Sequence, residues 1–254
     1  MNTLNLHSHL KYVLLYLSLL ILTITVVSFY YSKDAIVSTD QRNNVNLPRV
    51  VPATACTSDA KYCDSRKTLL IHSRINYSTS LLLKSWLLID SGIEQVCFTS
   101  IGGRTLASKL MMNDIARRNM DTCIAESYRL ESGELLYFDT CQSACALLML
   151  AGQKRTAIGE QFEIGVHPSS AAFGRLTIPN GIGLSSLVEQ RNPRAVGLIK
   201  KVDATEMLFL TAAQMQKYKF INEVLPIGAT LKKNRSGLWD MKSKQRLSTN
   251  TFNW

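Results

Sequence analysis

The sequence predicts an α/β fold built on a parallel sheet, and three observations carry that reading. Short apolar runs of strand type alternate with helical stretches of 12 to 15 residues, the order that gives parallel strands joined by helical crossovers. Residues of hydrophobic type make up 46% of a 254-residue chain, enough for one domain with a sizeable core. Turns rich in glycine or small polar residues fall where strands hand over to helices, as at Gly102-Gly103.

Taken in order, residues 1–33 read as a membrane anchor. Tyr12 to Tyr31 is a run of 20 uncharged, mostly apolar residues between Lys11 and Lys33, with tyrosines at both ends. That length crosses a hydrocarbon core, and the tyrosines suit its interfaces, so a retained transmembrane helix is preferred over a cleaved signal peptide. Residues 34–67 are polar and read as a stalk or linker. The domain proper is expected over residues 68–225.

Leu69 to Ile75 reads as its first strand, and Ser78 to Ile89 as a helix with Leu81, Leu82 and Trp86 near helical period. A second strand, Val96 to Thr99, precedes the glycine turn and a helix from Thr105 to Asn119; Thr122 to Ala125 is the next strand. Arg129 to Glu134 looks like a charged insertion before a short strand from Leu135 to Phe138. Past Ser143 come an apolar helix, strands at Thr156 to Ile158 and Phe162 to Val166, and an irregular region from Pro168 to Gly183. Helices are expected at Ser185 to Gln190, Ala195 to Ile199 and Thr211 to Phe220, and residues 226–254 form a basic tail.

The chain carries 29 Lys and Arg against 19 Asp and Glu, a formal charge of +10, which suits an anionic membrane face. The charge is dispersed in pairs such as Lys154-Arg155 and Lys200-Lys201, without an aromatic-rich basic stripe, so nucleic-acid binding is not expected. Six cysteines are present. Cys56 and Cys63, close together in a polar segment, fit a local disulfide formed in an oxidising compartment. No second Cys or His pair stands nearby at ligand spacing, so these two do not make a zinc site. No metal and no cofactor are expected. Cys141 and Cys145 either bridge to Cys97 or Cys123 or remain buried thiols.

Acyl-transfer chemistry is suggested by residues at three places, two strand-to-helix turns and one strand end. Ser143 stands where a strand enters a buried helix, a place for a nucleophile or, more plainly, for a helix cap. His167 follows 24 residues later at a strand end, with a reference pKa suited to a general base. Gly102 and Gly103 allow backbone N–H groups to approach a substrate oxygen, and the Ala144 N–H at the helix start supplies another donor. Asp203 could orient the imidazole through its second nitrogen, completing a Ser143-His167-Asp203 triad.

At these residues the chain resembles the ClpP/crotonase superfamily, and within it the membrane-anchored or periplasmic Clp-protease-like proteins of bacteria. The resemblance rests on Ser100-Ile101-Gly102-Gly103, on Ser143-Ala144 followed by Ala151-Gly152 and Lys154-Arg155, on His167-Pro168, and on Asp203 six residues before Phe209. It spans Leu69 to Leu225. It implies repeated β-β-α units, serine-peptidase activity on peptide or protein substrates, a homo-oligomer, and a bacterial inner-membrane location with the domain facing the periplasm. A non-catalytic or repurposed scaffold of that fold, a coenzyme-A acyl enzyme, and a Ser-Lys dyad using Lys154 or another lysine are the competing readings.

Overall fold

The computed structural model describes residues 12–19, 21, 37–40, 45–137, 140–168, 170–173, 176–179, 183–203, 206–232 and 237–240. A short antiparallel pair, β1 (Val37–Asp40) and β2 (Val45–Pro48), precedes the main sheet. That sheet opens with β3 (Val50–Cys56) and β4 (Thr68–Ile71), followed by α1 (Tyr77–Ile89), β5 (Gln95–Phe98), α2 (Thr105–Arg117) and β6 (Asp121–Ala125). Next come β7 (Ser127–Leu130), β8 (Leu135–Tyr137), β9 (Thr140–Gln142), α3 (Ala144–Met149), β10 (Arg155–Ile158) and β11 (Glu163–Val166). A hairpin of β12 (Ser170–Phe173) and β13 (Leu176–Pro179) leads to α4 (Ser186–Arg191), α5 (Pro193–Ile199), β14 (Glu206–Phe209), α6 (Ala212–Lys217), β15 (Glu223–Leu225) and β16 (Gly237–Asp240).

The main sheet has eight strands in the order β15-β10-β6-β5-β4-β3-β7-β8. Five of them, β4, β5, β6, β10 and β15, run parallel, while β3, β7 and β8 add antiparallel pairs. The inner parallel strands β4 and β5 are buried on both faces, which is why Leu69 to Ile71 and Val96 to Phe98 read as continuous apolar runs and not as alternation. Leu69, Ile71, Val96, Phe98 and Ile124 face the helices in one core, with Met111, Met112, Leu147 and Leu148 packed over them. Leu70, Cys97, Cys123, Ala125 and Ile158 point the other way, into a second core closed by Tyr128 and Leu136. A second sheet, β16-β14-β11-β9, lies beside the carboxyl end of β5, joined to it where Ser100 pairs with Cys141.

This mixed α/β arrangement of two larger sheets corrects the expected fold, a ClpP/crotonase-like repeat of β-β-α units behind one transmembrane helix. Among the described residues no helix is long and apolar enough to cross a membrane. Residues 12–19 and 21 are helical. Residue 20 and residues 22–31 of the expected span lie outside the described residues. Attachment to a membrane through residues 12–31, and the inner-membrane location facing the periplasm, lose their basis with the span.

Other local expectations change for definable reasons. Val50–Cys56, in the segment read as a stalk, is an inner strand between β4 and β7. Pro52 hides it, because proline argues against an inner strand; here β7 pairs only with Ala53 to Cys56, so the missing N–H falls where β3 has no neighbour on that side. The supposed insertion at Arg129 to Glu134 is the end of β7 and the turn of the β7–β8 hairpin at residues 131–134, with Gly133 at φ 85°. The region from Pro168 to Gly183 contains the β12–β13 hairpin, and the basic tail contributes β16.

Candidate active site

Ser143 links β9 to α3 with φ 56° and ψ −123°, a conformation that costs a β-carbon residue about 1–3 kcal/mol and persists only where the surroundings impose it. Those surroundings are explicit. The Ser143 N–H donates to the Gly165 carbonyl at 2.8 Å, extending the β9–β11 ladder, and the Gln142 N–H donates to the Ser100 carbonyl at 2.8 Å. Gln142 is itself buried and donates from Nε2 to Glu163 Oε1 at 2.8 Å and to Thr140 Oγ1 at 3.0 Å. The Ser143 hydroxyl makes no cap bond to α3, which removes the plain helix-cap reading.

That hydroxyl instead lies 2.6 Å from Nε2 of His167, the residue directly after β11. The other ring nitrogen, Nδ1, lies 2.6 Å from the Pro168 carbonyl oxygen. A carbonyl can only accept, so Nδ1 carries the proton, and in the neutral ring Nε2 is left as the acceptor for the serine O–H. Burial lowers the His167 pKa below its ordinary 6.5, and the Pro168 contact only partly opposes this, so the ring is neutral near pH 7.

The glycine turn is built against the same serine. A β-carbon on Gly102, at φ 98°, would stand 2.6 Å from the Ser143 β-carbon and 2.8 Å from the Gln142 carbonyl oxygen. The Ser100 hydroxyl fixes this turn, donating to the Ser73 carbonyl at 2.7 Å while accepting from the Gly102 N–H at 3.1 Å. Gly102 therefore has its N–H committed. Among the described residues, the N–H groups of Gly103 and Ala144 have no protein acceptor.

Asp203 is exposed in the connection between α5 and β14, where its carbonyl accepts from the Glu206 N–H at 3.0 Å. The contact described at His167 Nδ1 is the one to Pro168. Lys154, the alternative base, sits at the amino ends of the strands with its Nζ 3.7 Å from Glu223 Oε1. Among the described residues no group of three or more His, Cys, Asp or Glu side chains could hold a metal ion.

All six cysteines are paired: Cys56 with Cys63, Cys97 with Cys123, and Cys141 with Cys145. The first pair is the one expected. Cys97 and Cys123 are cross-strand partners on β5 and β6, so neither is open to Cys141 or Cys145, which close on each other around Ser143. Sequence reasoning missed the Ser100 clamp, the Pro168 carbonyl and the Gln142–Glu163 bond. Ser100 and Pro168 stood in the motifs, but their partners, and the Gln142–Glu163 bond, depend on the pairing of β9 with β11 and with Ser100.

No protein-family model matches the chain, and no curated protein matches it. The resemblance to the ClpP/crotonase superfamily is therefore corrected, and the homo-oligomer that rested on it loses its support. Each of the motifs that carried it is only a few residues long and of a kind that strand-to-helix turns produce in unrelated folds.

Proposed function

We propose that this protein is a serine hydrolase in which Ser143 is the nucleophile, His167 its general base, and a peptide carbonyl the target. The observation that carries the reading is the 2.6 Å contact between Ser143 Oγ and His167 Nε2, with the tautomer set by the Pro168 carbonyl. As Oγ attacks the carbonyl carbon, its proton passes to Nε2 and the carbonyl electrons move to oxygen. The Gly103 and Ala144 N–H groups are the donors available to that oxygen, while Gly102 supplies room and not a hydrogen bond. Collapse breaks the C–N bond, the amine leaves with the proton from Nε2, and water releases the acyl group by the same steps. Asp203 is a candidate for orienting His167 in addition to the Pro168 carbonyl.

A peptide substrate is supported by backbone available near the base. The β12–β13 hairpin begins three residues after His167, and among the described residues its strands pair only with each other, leaving edges that an extended chain could join. The test is covalent labelling by a fluorophosphonate, read by intact mass and by the labelled peptide. One adduct on Ser143, lost in Ser143→Ala and accompanied by loss of peptide hydrolysis, is expected. Absence of any adduct on the folded native chain would overturn the proposal.

A further inference from the structure

Among the three disulfides, one encloses the proposed nucleophile. Cys141 lies on β9, paired with Ile164 of β11 and bridged to Ser100; Cys145 lies in the first turn of α3; both are fully buried. Only Gln142, Ser143 and Ala144 separate them. Within that loop Ser143 holds its positive φ, and its hydroxyl, directed to His167, does not cap the helix. Helix α3 has six residues, too few to hold its first turn by its own hydrogen bonds. A covalent closure across the turn supplies the restraint that the absent cap does not.

We infer that the Cys141–Cys145 disulfide is a positioning element of the Ser143 nucleophile, holding the β9-to-α3 turn in the conformation that aims the hydroxyl at His167. The inference rests on the reading of Ser143 as the nucleophile. The other two disulfides serve different places. Cys56–Cys63 closes a loop after β3, and Cys97–Cys123 ties two neighbouring strands on the sheet face opposite α1 to α3. Each would contribute to stability by restricting the unfolded chain, but neither bears on the geometry at residue 143. The residues between Cys141 and Cys145 can relax toward negative φ once the link is gone, and that movement carries the hydroxyl away from Nε2.

The experiment compares full-length Cys141→Ala/Cys145→Ala with Cys56→Ala/Cys63→Ala, which removes one disulfide remote from Ser143. Both are read by the second-order rate of fluorophosphonate labelling as a function of pH, with near-ultraviolet circular dichroism to establish folding. Removing the Cys141–Cys145 link should slow labelling at least about ten-fold in the folded protein and move the acid inflection toward that of a free imidazole. Removing the Cys56–Cys63 link should leave rate and inflection within about two-fold of the native chain, whatever it does to melting. Labelling of the Cys141/Cys145 variant within two-fold of native overturns the inference while leaving Ser143 as nucleophile. Equal slowing in both variants also overturns it, since that reports general loosening. If the double alanine variant does not fold, Cys145→Ser breaks the same bond with little change of volume and is read identically. A native chain that does not label removes the proposed function first, and the inference with it.

Discussion

The two ends of the parallel sheet both bury polar groups, and they treat them in opposite ways. At the amino ends Arg66 reaches Asp64 at 2.6 Å, Asp121 at 3.0 Å and Glu223 at 3.6 Å, and donates to Thr156 at 3.2 Å. Gln95 adds bonds to Asp64 and Thr68, and Thr156 donates to Glu223. Burial would raise the Asp64 carboxyl, but the Arg66 bonds outweigh it and hold the group below its ordinary range. At the carboxyl ends the pattern reverses: Ser143 is held in a costly conformation, His167 has its pKa lowered by burial, and two N–H donors stand without a protein acceptor among the described residues. The first region uses most of its polar groups to fix strands in register, although Gln95 Oε1 and Arg155 Nε are buried there with no partner among the described residues. The second turns a serine and an imidazole toward each other in a strained turn, which stability alone does not require.

That contrast is broken most sharply at residue 143. Ser143→Gly removes the nucleophile and also the β-carbon that makes φ 56° costly. Fluorophosphonate labelling and peptide hydrolysis should fall by about three or more orders of magnitude, while stability rises by about 1 kcal/mol in urea unfolding. A variant that loses both activity and stability would mean that the serine is held for packing.

Gly102→Ala attacks the site through crowding, because its β-carbon would lie 2.6 Å from that of Ser143 and 2.8 Å from a backbone oxygen. Displacing the turn moves the neighbouring Gly103 N–H, and loss of one such donor costs about two to three orders of magnitude in rate. Labelling close to the native rate in this variant would exclude the turn from the site.

What the sequence displays of the fold and the site follows the same division. Ser143, His167 and the glycine turn were visible because each stands at a strand-to-helix or strand-to-loop junction, a local pattern that one chain displays by itself. The parallel core was visible for a similar reason, since Leu69 to Ile71 and Val96 to Phe98 are buried on both faces and read as unbroken apolar runs. Partners set by pairing across distant strands were not. Arg66 meets Asp121 and Glu223 only because β4, β6 and β15 start at one edge of the sheet, and Pro168 offers its carbonyl to a ring already turned toward Ser143. The apolar run from Tyr12 misled in another way: hydropathy alone does not set how far a helix extends, and among the described residues none is long and apolar enough to cross a membrane.

Arg66→Ala tests the opposite end. It leaves Asp64 and Asp121 without their shared cation, and because Arg66 keeps 19% of its side chain exposed the loss should sit near the low end for a buried pair, about 3 kcal/mol. Labelling of the fraction that remains folded should be unchanged. A fall in labelling rate without a fall in stability would couple the two ends and end the contrast. Asp203→Asn is a smaller probe, of the proposed orienting role. If the Pro168 carbonyl alone holds Nδ1, labelling stays within about three-fold of native, whereas a loss of several orders of magnitude would assign the orienting role to Asp203.

The smallest effect expected is in pH dependence, where the two regions should separate by the pH at which each gives way. His167 has a folded pKa below its unfolded 6.5, so the unfolded chain takes up that proton first as pH falls. Its share of stability is complete above 6.5 and is lost as pH descends through the lowered folded value. Asp64 and Glu126 also have lowered folded values, but from ordinary values of 3.8 and 4.5, so their shares are lost only at more acid pH. For Glu126 burial acts against ionisation and is outweighed by the N–H groups of Glu160, Ser58 and Gln161. Urea unfolding across this range should therefore show a shallow decline beginning near 6.5 and a steeper one below 4.5, with labelling following the first and not the second. His167→Gln should flatten the upper decline and leave the lower one in place, because the carboxylates at the amino ends and around Glu126 are untouched. If the upper decline persists in that variant, it belongs to another group, and the labelling inflection would then have to be traced to that group and not to a neutral imidazole poised on Ser143.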